Sequence, residues 1–213
     1  MFILKVIDIL KLFLPLGFIK LIDSINYKIK KFDSSFDDEA NKYFEKKLNE
    51  SKYYAEYGSG YSTLLAEKLN KKYISIETSS EWIKIMKQKN PKIKIKYIDI
   101  GKTYKWSWGR PYDYSQRKNF KSYAESIFKN GNPDLILIDA RLRVYCFLTA
   151  IKFSEVGTTI LFDDYRDRGE YHIVEEIIKP TEIKGRMAIF KINEKLNLDN
   201  LDFYLNKFEF VLD

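Results

Sequence analysis

The chain has 213 residues, 45% hydrophobic and 16% aromatic, enough for one compact domain that buries about 70% of its unfolded surface without disulfides or structural metal. A single cysteine, Cys146, and a single histidine, His172, exclude an intramolecular disulfide and a Cys/His zinc site, fit a reducing, cytoplasmic setting, and leave hydrolase triads without a recognisable nucleophile. The net charge of +7 comes from 37 Lys+Arg against 30 Asp+Glu, with the lysines scattered rather than gathered into one footprint, so nucleic acid is not an expected partner.

Residues 1–35 read as an apolar, basic, helical arm. The charge-free run Leu12–Ile19 has eight residues, short of the ~20 that cross a bilayer, and Pro15 and Gly17 interrupt it. No small-residue cleavage site follows, so a secretory signal is not expected. Residues 1–31 carry six lysines and two aspartates, which leaves two readings. Either the apolar face packs on the domain or on a second copy in a homodimer, or it lies in an anionic headgroup layer and places the protein at the inner face of the membrane. Leu14-Pro15-Leu16-Gly17 resembles the short leader of some bacterial sugar- and polysaccharide-tailoring enzymes.

From 36 to 193 the pattern alternates between helical and β-prone stretches. Asp37-Asp38-Glu39 opens a helix to about Asn49, with acids in the first turn where the helix dipole favours them. Lys52–Tyr57 is a strand ending in Gly58-Ser59-Gly60, followed by a helix over Ser62–Leu69. Strand Tyr73–Ile76, helix Ser80–Lys89 and strand Ile93–Ile98 come next. Gly101–Gly131 begins as an aromatic loop with Tyr104, Trp106, Trp108, Tyr112 and Tyr114 and becomes helical at about 116–129. Leu135–Ile138 is the most continuously apolar strand, as a central parallel strand buried on both faces requires. Helix Val144–Phe153, strand Thr159–Phe162 and helix Tyr171–Ile178 follow, and then Thr181–Lys184 and Met187–Ile192 flank Gly185-Arg186, a two-residue hairpin signal. Residues 194–213 read as a C-terminal extension with a polar joint, a short helix and a strand-like FEFVL. The expectation is an α/β fold, a doubly wound, mostly parallel seven-stranded Rossmann-like sheet with a C-terminal antiparallel hairpin strand.

Open α/β sheets bind ligands beyond the carboxyl ends of their strands, near the reversal of strand order. After strand one, Glu56-Tyr57-Gly58-Ser59-Gly60 feeds a helix amino terminus, and after strand two stands Glu77, seventeen residues past Gly60. That spacing suits a carboxylate accepting ribose hydroxyls, although a lone GxG is equally often an ordinary tight turn. Thr63 stands where the dinucleotide fingerprint has its third glycine, which argues for a cofactor without a pyrophosphate.

These features, with the Asp134–Asp139 strand and the terminal hairpin, resemble class I S-adenosylmethionine-dependent methyltransferases over residues 36–192. The runs EYGSGYST, IETSSEW, LILIDARLRV, LFDDYRDR, YHIVEE and GRMAIF are similar to small bacterial methyltransferase-like proteins. The resemblance implies S-adenosylmethionine as cofactor. Gly58, Ser59 and Gly60 would line its methionine and ribose portions, Glu56 would help hold the amino-acid end, Glu77 would bind the ribose hydroxyls, and Asp99 and Ile100 would sit near the adenine. Asp139 is counted with them.

Asp139 after strand four and Asp163-Asp164 after strand five place three carboxylates on one rim. Like charges there need a cation. Metal-dependent O-methyltransferases hold Mg²⁺ at these strand ends, and the resemblance extends to that site; the alternative is pairing with Arg141, Arg143, Arg166 or Arg168. His172, eight residues past Asp164, and Asp139 are candidate bases, and a lone histidine is more often structural. Trp106 and Trp108 read either as a lid on a flat acceptor or as core, and Arg141 and Arg143 as a clamp for an anionic acceptor or as partners of the aspartates. The leading reading is O-methylation of a small hydroxylated acceptor such as a sugar or glycan precursor. The alternative is a methyltransferase fold without catalysis, acting as a peripheral membrane or protein-interaction module.

Overall fold

In the computed structural model, residues 34–102, 113–196 and 198–212 are described. The arm 1–31, with its membrane or homodimer readings, and the Trp106/Trp108 segment lie outside them.

Helix α1 (Asp38–Glu50) starts where the Asp37 side chain accepts the Ala40 N–H at 2.9 Å, with Asp38 and Glu39 in its first turn. Its buried stripe, Ala40, Phe44 and Leu48, is spaced four residues apart and meets one face of the sheet. Strands β1 (Tyr53–Tyr57), β2 (Lys72–Glu77), β3 (Ile95–Tyr97), β4 (Leu135–Ile138), β5 (Thr159–Phe162), β6 (Glu182–Lys184) and β7 (Met187–Lys191) form one sheet in the order β3-β2-β1-β4-β5-β7-β6. The first five are parallel, and β7 runs antiparallel to both β5 and β6. The expected seven-stranded, mostly parallel sheet with its terminal hairpin is therefore the fold.

Alternation assigns the two faces. Tyr54, Leu135, Leu137, Leu161 and Ile189 point to the α1 side. Ala55, Tyr57, Ile136, Ile138, Ile160, Phe162 and Phe190 point to the other, against α5 (Arg143–Phe153), whose residues Arg143–Ile151 are all buried. Helices α2 (Tyr61–Lys68) and α3 (Ser80–Lys89) connect the outer parallel strands. No helix among the described residues is long and apolar enough to cross a membrane.

Three elements differ from expectation. The segment 116–129 is broken into a 3₁₀ turn, a short α4 (Phe120–Ala124) and a second 3₁₀ turn at Glu125–Phe128. Gly169–Glu176 is a 3₁₀ helix rather than an α-helix, and its buried residues Tyr171 and Val174 fall three apart, the spacing that a three-residue turn aligns. The FEFVL segment is not a strand. Phe208 ends α6 (Leu201–Phe208), Phe208 and Leu212 pack on the core, and the Phe210 ring sits 6.1 Å from Phe120. The apolar run thus covers core rather than joining a sheet edge, and α6 packs on α5 with Lys152 on Asp202 at 2.7 Å.

Candidate active site

Strand order reverses between β1 and β4, and the loops after these strands meet there. Gly58 has φ +95°, and a Cβ on it would lie 2.7 Å from the Asp139 carbonyl oxygen, so only glycine lets the two loops touch. Each part of the turn is held. The Gly58 N–H donates to Ile76 O at 2.8 Å. The Ser59 N–H and Oγ–H donate to Glu77 Oε2 at 3.2 and 2.8 Å, and the Ser59 carbonyl accepts from Trp82 Nε1 at 2.8 Å. The Gly60 N–H donates to Thr63 Oγ1 at 3.0 Å. Gly60 differs from Gly58: its φ of 179° is extended, and a Cβ there would meet nothing within 4 Å among the described residues.

Glu56 is fully buried beneath the turn. Tyr54 Oη donates to its Oε2 at 2.7 Å, Ser62 Oγ donates to the same oxygen, and Thr63 Oγ1 donates to Oε1. Burial raises its pKa against the opposing effect of the hydroxyl donors. With both oxygens turned inward, Glu56 fixes the turn from below. Glu77, 8% exposed, also accepts the Thr78 and Ser79 N–H groups on Oε1 at 2.7 and 3.0 Å. Beyond β3, the Asp99 Oδ1 accepts the Gly101 N–H at 2.9 Å, the Asp99 carbonyl accepts from Asn119 Nδ2 at 2.8 Å, and Ile100 is buried.

The three rim carboxylates converge, and arginines stand among them. Asp163 is fully buried and receives Arg186 Nε on Oδ1 at 3.0 Å and Nη2 on Oδ2 at 2.7 Å. Arg143 Nη2 reaches Asp139 Oδ1 at 3.1 Å, and its Nη1 reaches both the Asp163 carbonyl at 2.7 Å and Asp164 Oδ2 at 3.2 Å. Arg168 Nη2 donates to Asp164 Oδ2 at 2.8 Å, and Arg186 Nε lies 3.1 Å from Asp164 Oδ1. Burial, then the Asp163 charge, push the Asp139 carboxyl up to about 8 against the pull of Arg143. Hydrogen bonding to Asp163 raises Arg186 further above the usual guanidinium range.

This donor set does not fit Mg²⁺, which binds carboxylate oxygens at about 2.1 Å in an octahedral shell. The guanidinium groups already occupy the approaches to Asp139, Asp163 and Asp164. Among the described residues no group of three His, Cys, Asp or Glu side chains could hold a metal ion. The metal expectation at these aspartates is corrected accordingly: the neutralising charge is arginine.

His172 stands apart from this cluster. It is exposed, its ring stacks on Tyr165 at 4.7 Å, and its Nε2 lies 3.1 Å from the Tyr165 carbonyl. Arg143 is only 7% exposed in its side chain, which places it inside the rim as a clip between β4 and β5. Arg141 is half-buried, and Arg166 pairs with Asp167 at 3.1 Å rather than with the rim. Two contributors escape the motif reading. Arg186 reaches the rim because β7 returns antiparallel beside β5, and its position in the hairpin turn was the available signal. Trp82 lies one turn into α3 and reaches back to the glycine turn.

No family model and no curated protein matches this chain. Among solved structures, a methyltransferase-like protein from Silicibacter pomeroyi shares 28% identity over 84% of this chain and 97% of its own, with a TM-score of 0.71. A candidate caffeoyl-CoA O-methyltransferase from Staphylococcus aureus shares 13% identity over 87% of this chain and 96% of its own, with a TM-score of 0.52, which is a likeness of fold. The strand order and these likenesses agree on the architecture: the chain has the fold of class I S-adenosylmethionine-dependent methyltransferases.

Proposed function

We propose that the protein binds S-adenosylmethionine between the glycine turn and Glu77 and methylates an oxygen of a small hydroxylated acceptor such as a sugar or glycan precursor. The observation that carries this reading is the contrast at the turn. Gly58 is demanded by its φ and by the Asp139 carbonyl, whereas nothing among the described residues demands Gly60, and the side chain it lacks would meet none of them within 4 Å. A glycine kept without an internal reason at a helix amino terminus, beside a carboxylate, fits a cradle for a ligand.

The cofactor supplies a methyl group on a sulfonium sulfur, open to in-line displacement. In this reading Glu77 accepts a ribose hydroxyl hydrogen, Asp99 and Ile100 border the base, and Glu56 acts as a positioning residue through Ser62 and Thr63. Asp139, which lies at the reversal point against Gly58 and has a carboxyl raised to about 8, would take the proton that the acceptor hydroxyl gives up on methylation. Arg143 holds that carboxylate in place through its 3.1 Å bond. Asp139 suits this role better than His172, whose ring is committed to Tyr165. A single cysteine, buried on α5, is compatible with a cytoplasmic site of action.

Calorimetric titration with S-adenosylhomocysteine tests the reading. Binding by the intact protein and its loss in Glu77→Ala are expected, followed by transfer of labelled methyl to members of a panel of nucleotide sugars. Absence of heat with the intact, folded protein would overturn it in favour of a fold retained without catalysis.

A further inference from the structure

An ionised carboxylate offers about four lone-pair positions, and the Glu77 side chain has all of them filled. Oε1 accepts the N–H groups of Thr78 and Ser79, and Oε2 accepts both the N–H and the hydroxyl of Ser59. Three of these donors are backbone groups at the end of β2 and in the glycine turn. They cannot withdraw without moving the turn, which Gly58, Trp82 and Thr63 hold from other sides. The fourth, Ser59 Oγ–H, leaves by rotation about one bond.

We infer that Ser59 is a latch on the nucleoside site: its hydroxyl occupies the one position on Glu77 that a ribose hydroxyl can take, and the incoming ligand displaces it. The inference rests on the cofactor reading above and deepens it in two ways. Entry requires breaking the 2.8 Å Ser59–Glu77 bond, so the serine lowers affinity. One vacated position also serves one ribose hydroxyl, so Glu77 discriminates between the two hydroxyls of the diol instead of gripping both alike. The selected ligand class is a nucleoside with a hydroxyl at that one ribose position.

The test is titration of the intact protein, Ser59→Ala and Ser59→Gly with S-adenosylhomocysteine, with folding of each checked by thermal melt. Displacement of adenosine, 2′-deoxyadenosine and 3′-deoxyadenosine by the same ligand completes it. Removing the competing hydroxyl is expected to tighten binding roughly threefold to tenfold, the worth of one net hydrogen bond. One deoxynucleoside should bind within about threefold of adenosine while the other loses tenfold or more, since a missing partner for a buried acceptor is costly. Equal or weaker binding by both serine variants overturns the latch while leaving the cofactor reading intact, as does an equal loss with both deoxynucleosides. No binding by any folded form overturns the cofactor reading itself, so the two failures are distinguishable.

Discussion

Arg186, in the β6–β7 turn, holds the fully buried Asp163 through two parallel bonds of 3.0 and 2.7 Å. The pair ties the hairpin to the end of the strand beside it, and the fork geometry of the guanidinium is what a carboxylate in this position requires. Arg186→Ala removes the charge that faces Asp163 and is expected to cost about 3–5 kcal/mol, because a buried carboxylate is left uncompensated. The double variant Asp163→Asn, Arg186→Met should recover most of that loss. Urea denaturation of the two variants checks this, and a loss below ~1 kcal/mol in Arg186→Ala would show that other groups neutralise Asp163.

The two glycines of the turn should separate folding from binding. At Gly58 a methyl group meets the Asp139 backbone at 2.7 Å with φ at +95°, so Gly58→Ala is expected to destabilise by about 2–4 kcal/mol through strain and a forced shift of the β4 loop. At Gly60 the backbone is extended, and no described residue stands within 4 Å of the added carbon. Gly60→Ala should therefore melt within a few degrees of the parent, while S-adenosylhomocysteine binding falls at least about tenfold as the methyl fills the cradle. A Gly60→Ala protein that binds normally would remove the main support for the cradle.

A third glycine tests the hairpin. Gly185 has φ +58°, and a Cβ there would fall 1.9 Å from Asp37 Oδ1. Asp37 caps α1 and also accepts the Arg186 N–H at 2.8 Å, so the collision acts on the helix cap and the turn together. Gly185→Ala is expected to lower stability by about 1–3 kcal/mol, the sum of αL strain and a loosened cap. Gly185→Asn, which tolerates the backbone angle better but still meets Asp37, should not rescue it, as thermal melts of both variants would show.

How much of this was legible in the sequence follows from which forces act locally. The α3 helix at Ser80–Lys89 and the strands Leu135–Ile138 and Thr159–Phe162 have the boundaries expected from periodicity, because helix caps and continuous apolar runs are written in neighbouring residues. The third strand shortened from Ile93–Ile98 to Ile95–Tyr97, since an edge strand has a single partner to pair with. FEFVL satisfies a strand pattern and a helix end equally well, and the packing of Phe210 on the buried Phe120 ring decided between them. At the site, the three aspartates were visible as residues that follow strands. Two of their cations, Arg143 and Arg168, were visible as the alternative to a metal, but Arg186 was not, because it is 23 residues from Asp163 and reaches it only through the antiparallel return of β7. Ser59 reached Glu77 across 18 residues for the same kind of reason: parallel neighbours β1 and β2 bring their ends together.

The Asp139 carboxyl supplies the last prediction, with a definite sign. Burial and the neighbouring Asp163 raise it to about 8, from an ordinary value of 3.8, while Arg143 pulls the other way. A carboxyl raised in the folded state binds more protons there than in the unfolded chain between these two values, so its contribution to stability is complete below about pH 4 and is lost as pH climbs through about 8. Asp139→Asn carries no such proton and should flatten this part of the profile, so the difference in denaturant midpoint between variant and parent grows from pH 5 to pH 9 in favour of the variant. Catalysis should run in the opposite direction. If Asp139 takes the acceptor proton, methyl transfer in the parent rises through about pH 8, where the base form appears, just as the stability term disappears. Identical midpoint profiles for the parent and Asp139→Asn over this range would place the carboxyl back in its ordinary range and remove it as the base near neutral pH.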